Sequence, residues 1–146
     1  MPSEFVILLV DDEPHTAEML NLCAMSVFRE ANFIHINSVS QANTYLEGLT
    51  GHGPRLILLD INFEIGLTGF DFLTYLKNPC QDCTLPVVVL TNSDDKQVIQ
   101  EAYSLGANAV TRKPYTLEGW LAYTKRLRDY WFDLVTIPEL KYKSGK

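Results

Sequence analysis

Arg55-Leu56-Ile57-Leu58-Leu59-Asp60 runs through four consecutive aliphatic residues and stops at a carboxylate. An unbroken apolar run fits a strand buried on both faces, as in a parallel sheet covered by helices; a strand with one wet face would alternate. Asp60 then stands at the carboxyl end of a central strand. Ligands of open α/β sheets bind at that edge, which makes Asp60 a candidate site residue. The plainer alternative is an aspartate that caps the next helix.

The same signature recurs on both sides. Phe5 to Val10 is apolar and ends in Asp11-Asp12-Glu13; Pro14 then suits a first helical turn, and Ala17, Leu20, Ala24, Val27 and Phe28 follow at helical spacing. Phe33 to Asn37 reads as a short strand, and Ser40 as the cap of a helix carrying Ala42, Leu46 and Leu49. Gly48, Gly51 and Gly53 break the chain before the Asp60 strand. Beyond it, the loop from Ile61 to Thr68 reaches Gly69 and a helix with Phe70, Leu73 and Leu76, ended before Pro79. Leu85 to Thr91 is a fourth buried strand. Ser93 or Asp94 caps a helix with Val98, Ile99, Ala102 and Leu105, stopped by Gly106; Asn108 to Thr111 is a fifth strand leading into Arg112-Lys113-Pro114.

From Thr116 a helix is expected to about Leu134, with Leu117, Leu121, Thr124 and Leu127 as its inward stripe. Trp120, Tyr123, Tyr130 and Trp131 lie beside that stripe, more aromatic surface than one sheet can cover. A symmetric homodimer through this surface is the expectation. Val135 to Pro138 and the Lys-rich end form a terminal arm.

Five strands alternating with five helical patterns predict a doubly wound α/β fold, a five-stranded parallel sheet with helices on both faces and right-handed crossovers. Its 146 residues fit one domain with a sufficient core, and no linker or repeat divides them. A net charge of −6 with scattered Lys and Arg argues against a nucleic-acid surface, and no apolar run is long enough for a membrane span. The first residues lack a signal-peptide pattern, so a cytoplasmic protein is expected. Three cysteines make no disulfide framework; Cys80 and Cys83 have half the spacing of a zinc knuckle, with no second pair to complete it.

In such a sheet Asp11, Asp12, Asp60, Thr91 and Lys113 gather along one edge. Two like charges 4 Å apart cost about 4 kcal/mol at an effective dielectric of 20, so three carboxylates call for a proton or a cation among them. All-oxygen ligands suit a hard ion, Mg²⁺ above others. The expected roles are Asp60 as nucleophile toward phosphorus, Asp11 and Asp12 as metal holders, Lys113 as counter-ion to phosphoryl oxygens and Thr91 as hydroxyl donor to them.

Leu9-Val10-Asp11-Asp12, Leu58-Leu59-Asp60, Leu90-Thr91 and Lys113-Pro114, taken as an ordered set over residues 4 to 128, resemble the receiver domain of two-component response regulators. The resemblance implies the flavodoxin-like strand order 2-1-3-4-5 and Mg²⁺-dependent phosphorylation of Asp60 by a sensor histidine kinase. It also implies a metal ligand from the backbone carbonyl of Asn62. Leu85 to Ser93, Gly106-Ala107-Asn108, Tyr130-Trp131 and Val135 to Pro138 resemble stand-alone regulators paired with phytochrome-type kinases. Those lack an output domain and often dimerise through the last helices and arm. The expected organisation is a receiver domain over 1–128, then the helix end and arm over 129–146. Enzymatic activity is expected only toward its own phosphorylation and dephosphorylation.

The pattern is broken in places. Val110 stands where receivers commonly place a Tyr or Phe, so signalling through a large ring rotation at that position is not expected, and helix or dimer shifts replace it. Asn92 is bulkier than the residue often found there, and Gly69 comes nine positions after Asp60 rather than eight. Competing readings are a receiver-like binding module that works without phosphorylation, a haloacid-dehalogenase-like phosphatase, for which Asn62 replaces the needed acid, and a flavin module, for which Asp11-Asp12-Glu13 is too acidic to hold a phosphate.

Overall fold

The computed structural model describes residues 4–63, 66–77 and 85–137. Five strands, β1 (Phe5–Val10), β2 (Ala31–Ile36), β3 (Leu56–Asp60), β4 (Val87–Thr91) and β5 (Ala109–Arg112), form one sheet. All its pairings are parallel, in the order β2-β1-β3-β4-β5. The helices are α1 (Pro14–Val27), α2 (Val39–Glu47), α3 (Gly69–Lys77), α4 (Lys96–Ser104) and α5 (Leu117–Leu127), the last continued by a π-helical segment over Arg128–Leu134. This is the flavodoxin-like architecture expected from the sequence.

The unbroken aliphatic runs have a direct explanation. Leu56 and Leu58 join Ile7, Leu9, Val88 and Leu90 in one core with α1 and α5, through Leu20, Phe28, Trp120 and Leu127. Ile57 and Leu59 join Leu8, Val10, Val87 and Val89 in a second core, against Ala42, Phe72, Leu73 and Ala102 of α2, α3 and α4. Alternate side chains enter opposite cores, so every position of a central strand must be apolar. Each large side chain so buried contributes roughly 1.5–3 kcal/mol. Registers Val10↔Leu59 and Asp60↔Leu90 bring the ends of β1, β3 and β4 level.

Several boundaries differ from expectation. β2 begins at Ala31, and α2 is capped by Ser38, whose hydroxyl accepts from Gln41 N at 3.2 Å, leaving Ser40 inside the helix. The α4 cap is Asp95, accepting from Gln97 N at 2.9 Å, because Ser93 is used earlier in the loop and Asp94 faces Arg112 at 3.7 Å. Thr116 does cap α5 and Gly106, at φ +110, does end the turn after α4.

The α5 face keeps Thr124 and Leu127 of the expected inward stripe but turns toward Trp120 in place of Leu117. Trp120, Thr124 and Leu127 point inward while Leu117 is 52% exposed, so Trp120 is core and not part of a free aromatic surface. Tyr123 is also half-buried, held edge-on to Trp120 with centroids 6.2 Å apart. Past Leu127 the wider π turn delivers Phe132 onto Phe5 and Phe28, at centroid distances of 5.6 and 5.9 Å. Arg128 lies over Phe132 and makes a bidentate pair with Glu30, both contacts 3.0 Å. Arg55 fixes the end of the segment by donating to Ile137 O at 2.9 Å. Cys80, Cys83, Pro79 and the arm from Pro138 onward fall outside the described residues.

Candidate functional site: an acidic cluster at the carboxyl edge of the sheet

The parallel sheet collects at one edge what the sequence keeps far apart. Asp11 follows β1, Asp60 ends β3, Thr91 ends β4 and Lys113 follows β5; all four are buried. One carboxylate oxygen from each of Asp11, Asp12 and Asp60 lies within 4.8 Å of the others. Lys113 Nζ stands 3.0 Å from Asp11 Oδ2 and 3.8 Å from Asp60 Oδ2. The five residues singled out by strand ends are therefore at one edge, four of them in a single charged cluster and Thr91 one residue past the register partner of Asp60.

Local backbone explains how each is held. Asp11 Oδ1 accepts from Glu13 N at 2.8 Å, an Asx turn that aims the other oxygen inward. Its backbone carbonyl contacts His35 Nε2 at 2.8 Å. Asn62 N donates to Asp60 Oδ1 at 3.2 Å, and Thr91 Oγ1 accepts from Ser93 N at 3.0 Å. Gly69 donates to Ile61 O at 3.0 Å and passes so close that a Cβ there would lie 2.5 Å from Asp60 O. The Asp60 turn thus needs glycine at 69 for space.

The charges are far from balanced. Burial first, then Asp11, pushes the Asp60 carboxyl up to about 7, against the opposing pull of Lys113. For Lys113, burial would lower the ammonium, but Asp60, Asp11 and the hydrogen bond to Glu13 outweigh it and raise it. Asp11 Oδ2 is buried, with the Lys113 ammonium against it. Three converging carboxylates with a single ammonium among them are a donor set suited to a hard divalent cation, with Asp12, the most open of the three, toward the mouth.

Glu13 was missed by the sequence reading, which treated it only as part of an acidic loop. Its Oε1 lies 3.0 Å from Lys113 Nζ, as close as Asp11. Its place directly after the Asp pair was the available signal.

The chain belongs to the response regulator receiver family: the model of the response regulator receiver domain matches residues 7–125. It is a receiver domain of a two-component response regulator, a signalling module. Response regulator Rcp1 of Synechocystis sp. is 27% identical over 91% of this chain and 92% of its own length. The structure of the Mn(2+)-bound form of Rcp1 matches with a TM-score of 0.80 at 25% identity, covering 92% of this chain and 99% of that one. The phosphorylated cyanobacterial phytochrome response regulator RcpA, 23% identical, shares the fold with a TM-score of 0.84 over 94% of this chain and 100% of its own.

Proposed function

We propose that this chain is a phosphorylation switch in which Asp60 takes a phosphoryl group from a sensor histidine kinase and altered protein contacts carry the signal. A carboxylate oxygen of Asp60 attacks phosphorus, the bond from phosphorus to the donor breaks, and an acyl phosphate remains. Mg²⁺, held by Asp11, Asp12, Asp60 and the Asn62 carbonyl, would supply the positive charge that lets anionic donor and carboxylate approach. Lys113, mobile only by leaving Asp11 or Glu13, pairs with phosphoryl oxygens, and the Thr91 hydroxyl donates to them. The receiver function occupies residues 1–128 on this reading.

The observation that carries it is the cluster of three carboxylate oxygens within 4.8 Å beside a buried ammonium. Acetyl phosphate with Mg²⁺ is expected to add one phosphoryl mass to the protein and none to Asp60→Asn. A folded wild-type chain that takes up no phosphoryl group from acetyl phosphate, phosphoramidate or a histidine kinase would refute the proposal.

The likeness to Rcp1 and RcpA supports a phytochrome-type kinase as the partner, in the cytoplasm. For the homodimer, burial of Trp120 and partial burial of Tyr123 confine the available surface to the π segment, where Tyr130 is 51% and Leu134 71% exposed next to Trp131. Sedimentation is expected to show a dimer that Leu134→Asp and Tyr130→Asp weaken; a monomer at high concentration, with and without phosphorylation, would reject it.

A further inference from the structure

The backbone of Asp11 is fixed from β2. Its N–H donates to Ile36 O at 3.1 Å, extending the β1–β2 ladder by one bond, and its carbonyl lies 2.8 Å from His35 Nε2. In a strand the N–H and C=O of one residue point to the same neighbour, so a ladder continued past Ile36 would give this carbonyl a backbone donor. β2 ends at Ile36, Ser38 caps α2, and the ring of His35 takes the place of that donor. A carbonyl oxygen only accepts, so Nε2 carries the proton, and the neutral ring is the Nε2–H tautomer.

The histidine interrupts the pattern of its strand. His35 stands in register with Leu9, on the side of β2 where Phe33 packs with the core of α1 and α5, while Ile34 and Ile36 face the other core. Both sides of β2 are otherwise apolar from Phe33 onward, and the one polar ring falls beside Asp11. Asp11 itself is fully buried, and a buried carbonyl without a donor must shift or admit water. The carbonyl belongs to the peptide that joins Asp11 to Asp12, so its direction sets how the two carboxylates stand to each other. The remaining restraints on Asp11 lie on its side chain: Oδ1 accepts from Glu13 N, and Oδ2 meets a Lys113 that Glu13 and Asp60 also draw.

We propose that His35 is a positioning residue for the Mg²⁺ ligands: its Nε2–H fixes the peptide between Asp11 and Asp12 so that both carboxylates face Asp60 before the ion arrives. The inference rests on the metal site of the phosphoacceptor reading, and deepens it by naming a residue outside the carboxylate cluster that sets the affinity of that site. A ligand pair already in place loses less freedom on binding, which raises affinity without adding a bond to the ion.

Mg²⁺ titration of the full chain at about pH 8, where an imidazole is neutral, tests this by calorimetry and by the ¹⁵N shifts of the Asp12 and Asp60 amides. His35→Leu is expected to raise the dissociation constant about tenfold, the scale of losing a group that orients a metal ligand. His35→Gln, whose amide nitrogen can stand where Nε2 does, should recover most of that loss. In phosphoryl uptake from acetyl phosphate, followed by mass, the Leu variant should need about tenfold more Mg²⁺ for half its maximal rate and reach the wild-type rate at saturation. Long-range ¹H–¹⁵N spectra of the wild type should show the His35 proton on Nε2. Unchanged or tighter Mg²⁺ binding by folded His35→Leu overturns the positioning role, and so does an Nδ1–H tautomer. A wild type that binds no Mg²⁺ refutes the metal site and this role together, whereas a wild type that binds it beside an unaffected Leu variant refutes the role of His35 alone.

Discussion

The two ends of this sheet are built on opposite electrostatic terms. At the carboxyl edge, Asp11 and Asp60 are buried beside one ammonium, and Asp60 is held as a poor carboxylate by burial and by its neighbour. At the other end Glu30 is held as a good one: the hydrogen bonds of Arg128 come first in lowering its carboxyl below the ordinary range. Around that pair Phe5, Phe28 and Phe132 make a three-ring cluster. The first end gathers unbalanced like charge; the second pairs its charges and packs its rings.

The largest expected effect breaks the satisfied end. Phe28 is fully buried among the rings, and Phe28→Ala is expected to destabilise by about 3–5 kcal/mol in urea unfolding. A loss below about 1 kcal/mol would mean that the ring cluster is not a structural anchor. The next effect has the opposite sign. A carboxyl raised from 3.8 to about 7 removes stability progressively as pH rises through that interval, and in full above it. Asp60→Asn is therefore expected to stabilise the metal-free protein by on the order of 2–4 kcal/mol at pH 8, with the gain shrinking toward zero near pH 4. Urea titrations in EDTA at the two pH values measure it. Millimolar Mg²⁺ should narrow the gap by stabilising the wild type alone. Equal stabilities at pH 8 without metal would show that the acidic edge stores no repulsion.

This contrast also separates what the sequence reveals from what it hides. β3 and β4 were legible because burial on both faces forbids any polar residue, so the run itself carries the strand and its end. The site followed from that, since parallel strands with one crossover hand place Asp11, Asp60, Thr91 and Lys113 at one edge. Caps were less legible: Ser38 and Ser40, or Ser93, Asp94 and Asp95, are chemically equivalent candidates, and only backbone angles choose among them. Trp120 was misplaced because Trp120, Thr124 and Leu127 form as good a stripe as Leu117, Leu121, Thr124 and Leu127, and the sheet below decides. The π segment could not be seen from a 3.6-residue period, as its turn is set by contacts of Phe132 and Arg128 with residues about a hundred positions earlier. Glu13 was missed for the same reason: its place in the cluster rests on one contact, to Lys113.

The smallest effect sharpens the comparison most, because it reverses the pH dependence. The Arg128–Glu30 pair is partly exposed, with side-chain accessibilities of 31% and 18%, so solvent screening limits its worth to about 1 kcal/mol despite bidentate geometry. Arg128→Met keeps an apolar stem over Phe132 and removes only the charge. Since the Glu30 carboxyl is lowered in the folded chain, its contribution is present above the ordinary value of 4.5 and is lost as pH falls through the folded value. The variant should be weaker than wild type at pH 7, with the deficit shrinking as pH falls below 4.5, whereas Asp60→Asn differs from wild type at high pH by being stronger. Two carboxylates on one sheet would then give stability differences of opposite sign at neutral pH, both fading in acid. If the Arg128→Met deficit instead did not change with pH below 4.5, the guanidinium would be acting through its packing on Phe132, and the satisfied end would owe its strength to the rings alone.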